Sequence, residues 1–172
     1  MRDRLPESID TAAVKAAGRE YRGELSLVGM ARLGGAVRDL DVPELQVSLY
    51  AGRDPGGVLC LEGRIQGLLH LTCQRCLDRL DHSVEVEFRL ALVNSEAEAE
   101  RLGEAYEPWL LEHERLVIRE VIEDELLLAV PAFPQHAASE PCALPGYRQE
   151  TVEHTDEGKP NPFAALARLQ RD

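Results

Sequence analysis

Alternating apolar and polar positions dominate the first half of the chain. The alternation runs over residues 45–49, 59–72 and 80–92, with one parity apolar and the other mostly charged or polar. Strict alternation of this length is typical of antiparallel strands that bury one face. The turn-forming residues 54–57, Asp-Pro-Gly-Gly, separate the first two segments. The pattern therefore predicts a meander of three consecutive strands, because sequential strands usually pair with each other.

The hydrophobic period changes in residues 114–130. Val121, Ile122 and Leu126 belong to a stripe with helical spacing, and Pro131 ends it. Glu123 lies largely off that stripe, and a run of acidic residues on a surface helix is usually a solvated face. This segment predicts one main helix packed on the sheet.

The other segments before residue 114 predict shorter elements. Residues 5–18 contain a helix candidate, in which Asp10 can cap a run of alanines. Residues 21–28 predict a strand, residues 29–37 leave helix and loop open, and residues 96–109 predict an acidic loop.

Beyond Pro131 the chain is rich in proline and poor in apolar anchors, which predicts an extended arm. At its end Asn161 can cap a short helix, with Phe163 and Leu166 on one face as candidate partner-binding residues. The predicted fold is α+β, an antiparallel meander with one main packed helix and an extended C-terminal arm ending in a short helix. We expect an α+β domain over residues 1–130, and over residues 131–172 the arm and helix, which zinc would anchor to the first region.

The net charge of the chain excludes one class of function. The 172 residues carry a net charge of −12, divided into −2 for residues 1–90 and −10 for residues 91–172. This balance excludes a protein that coats nucleic acid, because such binding requires many lysines and arginines. The chain shows no signal peptide and no apolar run of membrane-spanning length, so we expect a cytoplasmic protein without membrane contact.

Cys73 and Cys76 form a Cys-x-x-Cys turn between two predicted strands. Two thiolates at this spacing can converge on one tetrahedral zinc, which then needs two further ligands. His136 and Cys142 in the arm are the first candidates. The flanking histidines, His70 and His82, are the second.

A single Cys-x-x-Cys is not specific, and two reduced packing thiols remain an equal alternative on spacing alone. Redox chemistry is disfavoured because the residues after the motif lead into a strand and not into a helix. Cys60 shares the polar parity of its strand and has no predicted role.

Four arginines lie on or near the polar face of the predicted hairpin, and they are candidate RNA-binding residues: Arg64, Arg75, Arg79 and Arg89. Interleaved acidic residues, including Glu62 and Glu87, leave an ordinary ion-paired sheet face as an equal alternative. Catalysis finds little support, because the chain contains no phosphate loop, nucleophile elbow, dinucleotide fingerprint or zinc-protease motif.

Several segments, in this order, resemble the YceD family of large ribosomal RNA subunit accumulation proteins. They are residues 71–76 with the following strand 84–88, residues 104–108, residues 123–131, then Pro134, His136 and Cys142, and finally residues 159–169. Together they cover the chain from about residue 59 to its end.

The resemblance implies a non-enzymatic cytoplasmic factor for ribosome biogenesis, needed for accumulation of the large-subunit (23S) ribosomal RNA. It implies partners among large-subunit rRNA, its precursor, and ribosomal or assembly proteins. The family's cysteine motif falls on Cys73 and Cys76 and its later ligands on His136 and Cys142, which favours zinc as a cofactor. An acidic protein-interaction adaptor without direct RNA contact remains the alternative.

Overall fold

The described part of the chain comprises residues 5–14, 18–111, 115–137 and 142 of a computed structural model. The chain divides into two compact units, residues 1–142 and 143–172, and every described residue belongs to the first. The predicted terminal helix with Phe163 and Leu166 lies outside the described residues. The predicted division after residue 130 stays a prediction.

Seven strands and three α-helices make up the described elements. The strands are β1 (Ser8–Asp10), β2 (Arg19–Leu25), β3 (Leu45–Arg53), β4 (Leu59–Thr72), β5 (Arg79–Val93), β6 (Glu107–Leu110) and β7 (Arg115–Val117). The helices are α1 (Ala31–Gly34), α2 (Glu96–Ala99) and α3 (Ile118–Ala129), with a 3₁₀ turn at Thr11–Ala13.

The main sheet has five strands in the order β2-β3-β4-β5-β6. Strands β2 to β5 are antiparallel neighbours, and the register places Val47 opposite Ile65 and Ile65 opposite Val86. The predicted meander of β3, β4 and β5 is therefore present, with β2 added at its edge. The long β4–β5 hairpin carries the cysteine turn at one end of the sheet, as the alternation predicted.

The core lies on one face of this sheet. Leu49, Leu61 and Ile65 point into it, and α3 contributes Val121 and Ile122, all at most 3% exposed. Gly63 faces the ring of Phe88, which occupies the space that a Cβ at Gly63 would need. The α+β class is thus confirmed, and α3 is the one long helix of the described residues. No described helix has the length and apolarity needed to cross a membrane.

The helix expected within residues 5–18 is wrong in most of its length. Asp10 does accept a hydrogen bond from the Ala12 N–H, but it caps only the 3₁₀ turn. Ahead of it β1 pairs with β7, and Ile9 and Leu116 are buried together in that pairing. Pairing of these large side chains overrides the helix propensity of a short alanine run.

The main helix also begins later than predicted. Residues 115–117 form β7, and α3 starts at Ile118. The expected acidic loop over residues 96–109 is wrong as well, because it contains α2, capped by the Ser95 hydroxyl, and the strand β6. Strand β6 runs parallel to β5 at the edge of the sheet, where Pro108 is tolerated despite its missing N–H.

Two residues that the sequence pattern places on polar faces are buried. Cys60 is 4% exposed, and its sulfur has a hydrogen bond with Arg89. Arg89 in turn lies beside the ring of Tyr106, whose hydroxyl donates to Asp54 at 2.5 Å. Glu123 was expected on a solvated face and is instead 7% exposed. Its carboxylate accepts hydrogen bonds from the first turn of α1, which explains why a charged group is buried there.

Candidate metal centre

The β4–β5 connection, residues 73–78, is called here the hairpin tip. The Leu77 N–H donates to the Cys73 carbonyl at 2.8 Å, and the Cys73 N–H donates to the Asp78 carbonyl at 2.9 Å. Leu77 adopts a left-handed backbone conformation with φ of 64°, which is uncommon for a residue other than glycine. These contacts close a tight turn that carries both cysteines of the motif.

The segment after α3 returns to the hairpin tip. The Gln74 N–H donates to the Pro134 carbonyl at 2.8 Å, so the two backbones are joined directly. Pro131 prevents further helix, since its ring excludes the helical hydrogen bond. The chain that follows brings His136 and Cys142 to the two cysteines of the tip.

Four potential ligand atoms lie within 4.8 Å of one another: the sulfurs of Cys73, Cys76 and Cys142 and a ring nitrogen of His136. The Cys73 and Cys142 sulfurs are 3.8 Å apart. The His136 Nδ1 lies 3.4 Å from the Cys76 sulfur and 3.7 Å from the Cys142 sulfur. These residues form a possible Cys₃His metal-binding cluster, which we call the Cys₃His cluster.

The orientation of His136 is set by a backbone group. Its Nε2 lies 3.2 Å from the carbonyl oxygen of Arg79. A carbonyl can only accept, so Nε2 carries the proton and the lone pair of the neutral ring is on Nδ1. That lone pair faces the three sulfurs, as a metal-ligating histidine requires.

The thiols of the tip are electrostatically unequal. Burial alone raises the pKa of Cys73, but hydrogen bonds from backbone N–H groups of the tip and of His136 outweigh it and lower that pKa to about 5. The Asp78 N–H lowers the pKa of Cys76, yet burial and the neighbouring sulfurs raise it overall. The hydrogen bond with the Cys142 sulfur raises the pKa of His136. Backbone donors thus favour a thiolate at Cys73 without any metal.

The alternative ligands, His70 and His82, are not part of this cluster. His70 is 8% exposed, and its Nδ1 lies 3.1 Å from an Asp39 carboxylate oxygen. Its Nε2 faces Asp81 at 3.7 Å. His70 therefore connects the loop before β3 to the hairpin through carboxylates.

The structure does not bring the four candidate RNA-binding arginines into one patch of free cations. Arg64 contacts Glu85 and lies 3.1 Å from Glu87. Arg89 is 3.4 Å from a Glu62 oxygen, and its other side faces Asp54.

Arg75 of the hairpin tip and Arg79 at the start of β5 have different partners. The Arg79 Nε pairs with Asp81 at 2.8 Å, whereas the Arg75 Nε donates to the Cys142 sulfur at 2.8 Å. The sequence offered no sign of the Arg75–Cys142 contact, because 67 positions separate the two residues. Nor could it show the Arg79 carbonyl as the partner of His136, since every residue carries a carbonyl.

Comparisons with known proteins agree on one family. The family model described as "Large ribosomal RNA subunit accumulation protein YceD" matches residues 61–170. A relative of the same name from Haemophilus influenzae is 32% identical over 171 residues, which covers 98% of this chain and 97% of the relative. No solved structure matches the chain. The chain belongs to the YceD family of large ribosomal RNA subunit accumulation proteins.

Proposed function

We propose that this chain is a cytoplasmic, non-enzymatic ribosome-biogenesis factor that supports accumulation of the large-subunit rRNA by binding, with zinc in the Cys₃His cluster. The observation that carries the function is the near full-length similarity to a relative named for that role. The absence of a known catalytic motif in the sequence favours binding over chemistry.

The fit of zinc to the cluster follows from ligand chemistry. A tetrahedral Zn²⁺ with sulfur at about 2.3 Å and nitrogen at about 2.0 Å separates two sulfurs by about 3.8 Å and a sulfur from a nitrogen by about 3.5 Å. The sulfur pair at 3.8 Å and the His136 distances of 3.4 and 3.7 Å agree with these values.

Three sulfurs and one histidine nitrogen fill all four positions, which is typical of structural and not catalytic zinc. The ion would join Cys73 and Cys76 of the hairpin to His136 and Cys142 of the segment after α3. A predominantly structural role follows: zinc would fix that segment on the hairpin tip.

Metal analysis tests the zinc centre. The full chain, purified without a histidine tag and with reduced thiols, should contain about one zinc, and Cys73→Ser should contain none because the loss of one ligand weakens a tetrahedral site strongly. Cys60→Ser is the matched control, since Cys60 is buried outside the cluster and its variant should retain the zinc. Metal-free wild-type protein with intact thiols would contradict the proposal.

Direct rRNA contact through Arg64, Arg75, Arg79 and Arg89 is the proposed mode of binding. The side chains of Arg64, Arg79 and Arg89 are about half exposed, at 47%, 54% and 51%. Exposed ion pairs contribute only about 0–1 kcal/mol, so an RNA phosphate can replace a carboxylate at small cost.

Filter binding to large-subunit rRNA fragments over a salt series measures this contact. The double variant Arg64→Ala, Arg89→Ala should weaken binding and lower the salt slope by about 2, one unit for each lost phosphate contact. The double variant Arg101→Ala, Arg115→Ala removes the same charge at two exposed positions outside the four arginines and should leave affinity nearly unchanged. Equal affinity and slope in the double variant would exclude the hairpin contact.

The ion pairing of the arginines specifically favours a second candidate function, an acidic adaptor that binds ribosomal or assembly proteins without touching RNA. The net charge of −10 in residues 91–172 complements basic partners. Pull-down after RNase treatment distinguishes the two candidates, because an adaptor keeps its protein partners. Phe163→Ala with Leu166→Ala should then reduce capture if the terminal segment is the docking peptide.

A further inference from the structure

Arg75 contacts a sulfur of the Cys₃His cluster. Its Nε donates to the Cys142 sulfur at 2.8 Å, whereas Arg64, Arg79 and Arg119 contact carboxylate or carbonyl oxygens. Arg89 also hydrogen-bonds a cysteine sulfur, but its partner Cys60 lies outside the cluster. Arg75 stands between the two cysteines of the hairpin tip, and Cys142 belongs to the segment that returns to the tip. The guanidinium therefore bridges the two pieces of chain that supply the ligands.

The charge of the Cys₃His cluster explains why a positively charged partner is favourable here. Three thiolates and a neutral histidine around a divalent cation leave one net negative charge at a site where Cys73 is fully buried and Cys76 is 8% exposed. An uncompensated charge in such surroundings is costly, and a guanidinium that is always protonated offsets it. A hydrogen bond to a ligating sulfur also holds that ligand in place.

We propose that Arg75 is a positioning residue of the metal centre, which directs the Cys142 thiolate toward the other three ligands and neutralises the excess charge of the loaded site. This inference rests on the proposed zinc centre. It gives Arg75 a role in metal retention that is separate from the rRNA contact proposed above.

Arg79 supplies the matched control on the same hairpin. Its side chain pairs with Asp81, while only its backbone carbonyl accepts the hydrogen bond from His136. Arg79→Ala removes one positive charge near the cluster and keeps that carbonyl. A general electrostatic effect would therefore appear in both alanine variants, and a specific contact with sulfur only in Arg75→Ala.

Cobalt substitution and zinc competition test the proposal on the full chain. The reduced, metal-free protein is titrated with Co²⁺, followed through the thiolate-to-cobalt charge-transfer band, and Zn²⁺ then displaces the cobalt. Arg75→Ala should weaken Zn²⁺ binding by about 10- to 100-fold, the usual effect of losing a partner of a metal ligand. Arg75→Lys should restore part of that loss, because it keeps the charge without the planar donor.

The spectrum separates positioning from a merely structural role. A hydrogen bond lowers the energy of the sulfur electrons, so its loss in Arg75→Ala should move the charge-transfer band to longer wavelength, with Arg79→Ala unchanged. An unshifted band and wild-type Zn²⁺ affinity in Arg75→Ala would overturn the role of Arg75 and leave the metal centre standing. Failure of the unsubstituted chain to bind either metal would overturn both.

Discussion

The inner face of the sheet and the hairpin tip are held together by different forces. The inner face buries large aliphatic side chains such as Leu61, Ile65 and Leu69, all 0% exposed, against α3. Burial of this kind is non-directional and needs no partner from outside the chain. The tip offers no such core, because its exposed residues include Leu77 at 70%, and its buried side chains are the two cysteines.

The difference means that the two regions should respond independently to perturbation. The sheet and α3 depend on the burial of apolar side chains away from water. The position of the segment after α3 depends instead on four ligand atoms and on polar contacts, among them the backbone hydrogen bond from Gln74. A metal that binds only the folded tip stabilises it by mass action. Perturbing the metal should therefore loosen the tip alone, and perturbing the core should weaken the whole domain.

Metal removal gives the largest expected effect. Zinc at about a thousand times its Kd stabilises the bound conformation by about 4 kcal/mol, so chelation should speed amide exchange at Gln74 by about a thousandfold. The Gln74 N–H is the probe because it donates to the Pro134 carbonyl across the two pieces. Exchange at Ile65, in the middle of β4, should change little. Equal loss of protection at both amides would show that the regions are not independent.

A cavity in the core is the reciprocal perturbation. Ile65→Ala should lower the free energy of unfolding by about 3 kcal/mol, because it removes buried methyl groups and leaves a space that the sheet fills only in part. Urea unfolding measures the loss, and metal analysis should still give about one zinc. Gln66→Ala, one residue further on the outer face, is the control and should stay within about 0.5 kcal/mol of wild type. A drop in zinc content in Ile65→Ala would contradict independence.

The sequence predicts the sheet and the metal ligands from different kinds of pattern. Period-two alternation in β3, β4 and β5 predicted the meander, because one residue of slip would expose its apolar face. Strand β6 was not predicted because its four residues lack the alternation of apolar and polar positions and include Pro108. The grouping of His136 and Cys142 with Cys73 and Cys76 could be named from residue type and family resemblance. Their distances could not, because they depend on where α3 ends.

A single sequence does not show which backbone atoms make contacts, or which residues far apart in the sequence meet in the fold. Residue type shows that Glu123 is charged, but only the fold shows that α1, some 90 positions earlier, begins against it. Cys60 is a similar case, since its side-chain partner Arg89 belongs to the neighbouring strand β5. Both residues lie on the polar side of their own element, and residues of another element bury them.

Glu123 tests whether a polar group can support the apolar region. Its Oε1 accepts from the N–H groups of Arg32 at 2.8 Å and Leu33 at 3.0 Å. Glu123→Ala should cost about 2 kcal/mol in urea unfolding, because it leaves these donors without their acceptor. Glu123→Gln, which keeps an acceptor oxygen and loses the charge, should cost less.

The pH dependence of Glu123 has a definite sign. Burial raises the pKa of this carboxyl, but the N–H groups of α1 and the Arg32 guanidinium outweigh burial and lower the pKa below its usual value. A carboxyl with a lowered pKa in the folded state adds stability above its unfolded pKa of about 4.5, and this stability is lost as pH falls through the folded pKa. The stability difference between wild type and Glu123→Gln should therefore shrink below pH 4.5. A constant difference across this range would contradict the assignment.

Glu125, two residues along α3, gives the smallest and opposite effect. It is 8% exposed, and burial, with the nearby Glu107 and Asp124 carboxylates, raises its pKa. A carboxyl with a raised pKa in the folded state lowers stability above that pKa, and the penalty disappears below its unfolded value. Glu125→Gln should therefore stabilise the protein at pH 7 by about 0.5–1 kcal/mol in urea unfolding, the lower part of the range for a single stabilising substitution. The gain should vanish near pH 4. Destabilisation at pH 7 would show that Glu125, like Glu123, supports the apolar region.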